Sequence, residues 1–182
     1  MSRSELSDKF ITFIQAQKMF FVATAAADGH VNVSPKGLDS LRILANNRIV
    51  WLNLSGSGNE TAAHVQETNH ITLMFYAFEG NALIVRVYGR AKVIHPRDAE
   101  WAELIKLFPK MAGSRQLFDI EVEFAQASCG SGVPFYEFKG QRGEAELVPF
   151  YERMGEDGVR SYWEKKNQSS IDGKPTSIFS QN

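Results

Sequence analysis

A glycine-rich loop that also carries hydroxyl and amide side chains is the first candidate for chemistry in this sequence. It reads Ser55-Gly56-Ser57-Gly58-Asn59-Glu60-Thr61 and lies between an apolar, strand-like run and a segment with helical character. Glycines let neighbouring backbone N–H groups turn toward one point, and a helix start adds unpaired N–H donors with a partial positive charge. The loop therefore predicts a cradle for a phosphate group. A flexible loop with Asn59 as the N-cap of the helix is the alternative.

Cationic side chains at three other positions could complete such a site. Lys36 lies in the run Ser34-Pro35-Lys36-Gly37. It could pair with a phosphate or with the electron-rich edge of a ring, or it could be a solvated lysine in an ordinary turn. Arg86 and Arg90 lie four residues apart in an apolar strand and share one face of it. That face is either exposed or directed at an anion or a partner.

Other signatures of catalysis are weak. Cys129 could be a reactive thiol, but nothing nearby in the sequence lowers its pKa, and packed, inert cysteines are more common. The histidines are His30, His64, His70 and His95. Their spacing fits no metal-ligand pattern, so no metal site is predicted. The sequence also contains no Walker A, Rossmann or G-x-S-x-G motif.

Hydrophobic periodicity predicts the elements that must position these residues. About six or seven strands, joined by tight turns at Asp28-Gly29, Asn46-Asn47 and Glu79-Gly80-Asn81, predict an antiparallel sheet. The predicted strands cover 20–25, 31–33, 41–45, 48–54, 71–78, 82–94 and 118–125, and the predicted helices cover 4–17, 60–67, 96–107, 145–154 and 159–166. Ser4 and Ser7 are both candidate N-caps of the first helix. A sheet of this length is expected to close into a barrel or sandwich.

Composition limits the class of protein. The chain has 182 residues, which suits one domain, and 43% of them are hydrophobic. A net charge of −1 argues against a dominant role on nucleic acid or on an anionic membrane. One cysteine excludes a scaffold built on internal disulfides, and no membrane span or leader is apparent. We expect a soluble cytoplasmic protein.

In their order and spacing, these segments resemble the pyridoxamine 5′-phosphate oxidase-related FMN-binding proteins. The resemblance covers about residues 10–130. It is carried by Phe21-Val22-Ala23-Thr24 with Asp28 to Gly37, by Ile49 to Thr61, by Ile71 to Phe75, and by Val87 to Ala91. The stretch from Ser128-Cys129-Gly130 to Phe138 resembles an uncharacterised subgroup of the same superfamily.

The resemblance implies a mainly β fold with flanking helices. In detail it implies a six-stranded antiparallel split β-barrel of Greek-key type, with a barrel core at about 18–128 and a helical C-terminal extension at about 129–182. It also implies a homodimer with FMN at each of two sites in the subunit interface. By position, the resemblance assigns three groups of residues to the cofactor. The flavin ring or ribityl chain would be faced by Ser34, Pro35 and Lys36, and the flavin would be followed by Leu52 and Asn53. The phosphate would be held by Ser57, Gly58, Asn59 and Thr61. The partner chain would supply the strand around Arg86 to Arg90 and the Cys129 loop.

Two departures from the family pattern shape the functional expectation. Many members place Arg and Lys in the phosphate loop, where this chain has Gly58-Asn59. Tyr136-Glu137-Phe138-Lys139-Gly140-Gln141-Arg142 lacks the histidine of the vitamin B6 substrate motif. We therefore expect an FMN-dependent oxidoreductase acting on another small organic substrate.

Two other functions are compatible with the same residues. One is a module that binds flavin, or binds haem through His64 or His70, without turnover. The other is a dimeric interaction protein without a cofactor.

Overall fold

The computed structural model describes residues 5–179. The helices are α1 (Asp8–Ala16), α2 (Glu60–Thr68), α3 (Trp101–Leu104) and α4 (Val148–Lys166). The strands are β1 (Phe20–Thr24), β2 (Asn32–Lys36), β3 (Leu41–Ala45), β4 (Arg48–Leu54), β5 (His70–Tyr76), β6 (Leu83–Ile94) and β7 (Ser114–Cys129). A 3-10 turn at Ile105–Leu107 follows α3, and a π turn at Gly143–Leu147 precedes α4.

All strands belong to one antiparallel sheet with the order β2-β1-β5-β6-β7-β4-β3. The predicted fold class, mainly β with flanking helices, is confirmed. The strand count of six is wrong, because the sheet has seven strands. Both edge strands, β2 and β3, are short hairpin partners of β1 and β4. Within residues 5–179 no ladder joins β2 to β3, so the hydrogen-bonded sheet is open.

The sheet nevertheless curls around a shared core. Phe20 of β1 contacts Trp51 of β4 edge-to-face, with ring centroids 6.3 Å apart, although β5, β6 and β7 separate these strands in the sheet. Trp51 also stacks on Phe118 of β7 at 4.8 Å. Alternate residues of the inner strands point into this core, as the two-residue period of a strand requires. The curl brings β2 and β4 close together at one end.

Local sequence explains where α1 begins. The Ser7 hydroxyl accepts a hydrogen bond from the Phe10 N–H at 3.3 Å, so Ser7 is the N-cap. The other candidate cap, Ser4, lies outside the described residues. Ile14 is buried in the core enclosed by the sheet, and Phe13 packs against the same core.

The predicted helix at 96–107 is wrong in its start and extent. Asp98 accepts a hydrogen bond from the His95 N–H at 2.8 Å and returns its own N–H to the His95 carbonyl. This turn holds Pro96 outside the helix, and α3 begins only at Trp101.

The two predicted C-terminal helices meet at a kink. Gly155 has φ 68° and ψ 173° within the span Val148–Lys166, so one glycine separates them where a turn from Gly155 to Gly158 was predicted. Positive φ is accessible to glycine at little cost. Among the described helices, none is long and apolar enough to cross a membrane.

Gly89 is required at the irregularity between the long strands β6 and β7, and its substitution tests the fold. A Cβ at this position would lie 2.2 Å from the Glu121 carbonyl oxygen, where the register shifts between Tyr88 and Gly89. Gly89→Ala should lower the free energy of unfolding by about 2 kcal/mol or more in urea titrations. Gly132→Ala is the matched control, because a Cβ there would meet no surrounding group within 4 Å. Equal stability of the two variants would contradict the register described for β6 and β7.

Candidate functional site

A cavity of about 420 Å³ opens where β2 approaches β4 and the start of α2. Its wall includes nine of the twelve predicted site residues, which are Ser34, Pro35, Lys36, Leu52, Asn53, Ser57, Gly58, Asn59 and Thr61. Segments that are separate in the sequence therefore come together in one site because the sheet is curled. The wall also includes Asn32, Trp51, Arg115 and Leu147.

Strand β2 positions the first segment. Pro35 has no N–H to donate to a ladder, and β2 lies at the edge of the sheet, where a proline is tolerated. Lys36 is opposite Phe20 at the end of the ladder with β1. Its ammonium group lies 5.2 Å from the centroid of the Trp51 ring, so the side chain reaches across the gap from β2 to β4.

The loop from Ser55 leads from β4 into α2. Ser55 is buried, and both its N–H and its hydroxyl donate to the Gly113 carbonyl at 2.7 Å. Asn59 occupies the N-cap position, but its side chain makes no capping hydrogen bond. The proposed N-cap role of the Asn59 side chain is therefore wrong. Its amide N–H donates to the Asn167 main-chain carbonyl at 3.2 Å, and its Oδ1, the atom that would cap the first turn of α2, has no partner among the described residues.

Arg115 is the residue that sequence reasoning missed. It is 3% exposed, and its Nη1 donates to the Gly58 carbonyl at 3.0 Å. Its Nε–H is buried and has no partner among the described residues. Burial lowers the pKa of Arg115 to about 10, which leaves it charged at neutral pH. The predicted strand began at Phe118, whereas β7 begins at Ser114.

Lys36 and Arg115 bring two positive charges to the cavity wall, and Glu60 brings one negative charge, so the local balance is positive. Burial lowers the pKa of Lys36 to about 8, and the positive charge of Arg115 contributes to the same shift. A cavity in which the charge of Arg115 opposes the protonation of Lys36 is one that a bound anion would stabilise. The net charge of −1 for the whole chain gives no indication of these two cations in one cavity.

Arg86, Arg90 and Cys129 lie elsewhere in this chain. The predicted common face of the arginines is observed, because both alternate with the buried Val85 and Val87. Arg86 donates to the Ser128 hydroxyl at 2.9 Å, and Arg90 pairs with Glu123 at 2.8 Å. None of the three lines the cavity, so their contribution to a partner's site stays a prediction.

The expectation for the Cys129 thiol is corrected by its surroundings. Cys129 is exposed rather than packed. Hydrogen bonds with Ser131 lower the pKa of its thiol.

The histidines also lie outside the cavity wall. His64 is fully buried, and its Nδ1 lies 3.1 Å from the Thr24 hydroxyl. His70 is exposed at the start of β5. Across residues 5–179 no group of three or more His, Cys, Asp or Glu side chains is arranged to hold a metal ion.

Comparisons with protein families and with curated proteins identify the family to which the chain belongs. The family model described as pyridoxamine 5′-phosphate oxidase matches residues 6–129. The pyridoxamine 5′-phosphate oxidase family protein ustO of Aspergillus flavus is 30% identical over 186 aligned residues, which cover 93% of this chain and 75% of the fungal protein. The chain belongs to the pyridoxamine 5′-phosphate oxidase family.

Solved structures share the fold. A variant of HupZ from group A Streptococcus has a TM-score of 0.57 and 20% sequence identity, and the match covers 68% of this chain and 99% of HupZ. A Lactobacillus delbrueckii protein provisionally named a pyridoxamine 5′-phosphate oxidase has a TM-score of 0.55 and 18% identity, covering 68% and 95% of the two chains.

Replacing Lys36 tests the electrostatics of the cavity. Since the pKa of Lys36 is lowered to about 8 in the folded protein from 10.5, the unfolded chain binds this proton more tightly. Lys36 therefore opposes folding below pH 8, and this penalty fades as the pH rises from about 8 toward 10.5. Lys36→Met should stabilise flavin-free protein at pH 7 by about 1 kcal/mol, after allowance for partial exposure.

Urea unfolding at pH 7 and at about pH 10 measures this difference, since the Lys36→Met gain should shrink at the higher pH. The control is Lys110→Met, which changes an exposed lysine and should alter stability by less than about 0.5 kcal/mol. A Lys36→Met gain that is absent at pH 7, or that grows with pH, would contradict the proposed burial of the ammonium group.

Proposed function

We propose that the chain binds FMN in the cavity between β2, β4 and α2 and acts as a flavin-dependent oxidoreductase on a small organic substrate. The supporting observation is Arg115, a guanidinium that is 3% exposed, has an unpartnered buried Nε, and lines the same cavity as Lys36. A buried, incompletely paired cation beside a second cation is unfavourable unless an anion joins it.

The donor groups fit the phosphate of FMN. A phosphate dianion is held by hydroxyl groups, backbone N–H groups and a guanidinium fork. Ser57 and Thr61 supply hydroxyls, and the uncapped start of α2 supplies backbone donors. The cation that Gly58-Asn59 lack comes from Arg115, which contacts the loop through the Gly58 carbonyl. In this proposal, Arg115 on β7 supplies the positive charge that many family members carry in the phosphate loop.

The remaining wall fits a flavin ring. The half-buried side chains of Leu38, Leu54 and Leu147 on the cavity wall offer apolar surface. Lys36 and Asn53 offer donors suited to the polar edge of the ring. When bound, FMN supplies hydride and single-electron chemistry at its ring system. Lys36 would place positive charge beside the ring, and the buried wall would limit the access of water.

Haem binding has less support from this cavity. Axial ligation of haem iron uses His, Cys, Met or Tyr side chains. Among the described residues, the cavity wall includes none of these types.

A flavin module without turnover differs from the proposed enzyme only in redox activity. Reduction of the bound flavin by NADH, NADPH or a deazaflavin donor, followed by reoxidation, would support the enzyme.

We further propose a homodimer. Rings of Phe21, Tyr76, Phe78 and Tyr136 form a continuous row with centroid separations of 5.9, 4.1 and 5.4 Å. Tyr136 is 61% exposed, and its neighbour Phe135 is 83% exposed. Exposed aromatic clusters of this kind are typical of interfaces. Light scattering should give twice the chain mass of 20.4 kDa, and a flavin-loaded monomer would overturn this proposal.

Arg115→Met tests the proposed phosphate site. The variant keeps most of the side-chain volume but removes the charge-assisted hydrogen bonds, so FMN affinity should fall about tenfold or more. Folding should not be weakened, because replacing a buried charge by an apolar group of similar size is often neutral or stabilising. Fluorescence titration measures the affinity, and urea unfolding measures the stability.

Arg160→Met is the matched control, since Arg160 is exposed and pairs with Glu164 on α4. It should leave FMN affinity unchanged. Equal affinities of the Arg115 and Arg160 variants would remove the main support for this site.

A further inference from the structure

The end of α4 contacts the back of the proposed phosphate loop through two side chains, Trp163 and Asn167. Neither side chain lines the cavity. The Trp163 indole N–H donates to the Ser55 hydroxyl at 2.7 Å. The Asn167 amide donates to the Gly56 carbonyl at 2.9 Å, and the Asn167 carbonyl accepts from the Asn59 amide at 3.2 Å. We call Trp163 and Asn167 the anchor residues.

These contacts are buried and connected to one another. Asn167 is 0% exposed, and its carbonyl also accepts a hydrogen bond from the Thr176 hydroxyl. Ser55 is 3% exposed, and its hydroxyl joins the Trp163 indole to the Gly113 carbonyl. After α4, the Ile171 N–H donates to the Glu60 carboxylate at 3.0 Å. Loop 55–60 is therefore held by Trp163, Asn167 and Ile171, which do not themselves line the cavity.

The anchors also fix the direction of a backbone donor. A trans peptide is planar, and its C=O and N–H point in opposite directions. Since the Gly56 carbonyl points to Asn167, the N–H of Ser57 in the same peptide points away from Asn167. Ser57 lies on the cavity wall, whereas Asn167 does not. Two glycines in the loop would otherwise leave these peptide orientations poorly defined.

We propose that Trp163 and Asn167 are positioning residues that hold the 55–60 loop in the conformation that binds the phosphate of FMN. This inference rests on the proposed function and extends it to residues outside the family's matched region. The family match ends at residue 129, whereas the anchors lie at the end of α4. The C-terminal segment beyond residue 129 thus contributes to the proposed cofactor site through the loop, without contacting the cofactor itself.

Riboflavin, which lacks the phosphate, separates this role from a general effect on folding. Trp163→Phe removes the indole donor and keeps an aromatic ring, so FMN affinity should fall about three- to tenfold while riboflavin affinity changes less than about twofold. Asn167→Ala should show the same selectivity. Trp101→Phe is the matched control, because Trp101 is also half-buried but packs on a second apolar cluster, which contains no residue of loop 55–60. It should change neither affinity.

A double-mutant cycle tests the contact itself. Ser55→Ala and Trp163→Phe remove the same hydrogen bond, so their effects on FMN affinity should be less than additive. Equal loss of FMN and riboflavin affinity, or additive effects in the cycle, would overturn the positioning role.

Hydrogen exchange on the flavin-free protein gives a readout that does not depend on the cofactor. Amides of residues 55–61 should exchange faster in Trp163→Phe than in the parent protein or in Trp101→Phe. Unchanged exchange would overturn the inference. A parent protein that binds no flavin would instead overturn the proposed function, and the exchange result would still decide whether the anchors order the loop.

Discussion

The candidate site depends on one guanidinium that is buried in the same cavity as a second cation. Arg115 is almost withdrawn from water, and its charge helps to lower the pKa of Lys36 to about 8. Moving a charge from water into a protein is costly unless it is paired and hydrogen-bonded. One contact to the Gly58 carbonyl satisfies only part of the guanidinium. The surrounding residues hold the Arg115 guanidinium on the cavity wall, where a bound anion could complete its hydrogen bonds.

The surrounding elements each contribute to that arrangement. The β-hairpin of β1 and β2 brings Lys36 across to Trp51. Gly113, with φ 80°, turns the chain just before β7 and accepts two hydrogen bonds from Ser55. A Cβ at Gly113 would lie 2.5 Å from the Tyr151 ring, so α4 packs directly on this turn. The cavity is thus built by the sheet and supported by the C-terminal helix.

The sequence predicted the local structure well because the signals were local. Asn46-Asn47 and Asp28-Gly29 mark real hairpins, and Ser7 caps α1 as predicted. The segments of the predicted phosphate and flavin site do meet in one cavity. Features that depend on distant contacts were missed. Arg115 is recognisable only once β7 is paired with β4, and the contacts of Trp163 and Asn167 join positions more than 100 residues apart.

The errors have the same origin. Pro96 predicts the start of a helix, but it lies within the turn from His95 to Asp98, and the helix begins only at Trp101. Asn59 has the composition of an N-cap, yet tertiary contact redirects its amide to Asn167. In both cases a side-chain contact outweighed the local preference. The count of six strands came from the family resemblance, whereas hydrophobic periodicity allowed six or seven, and the sheet has seven.

Whether the cavity holds FMN can be decided from the absorption spectrum of the purified protein in the near-ultraviolet and visible range, recorded before and after heat release of any bound ligand. We expect a yellow protein that releases close to one FMN per chain. A colourless protein that also fails to take up added FMN would contradict the proposed role of Arg115 and Lys36 as the cations of a flavin site.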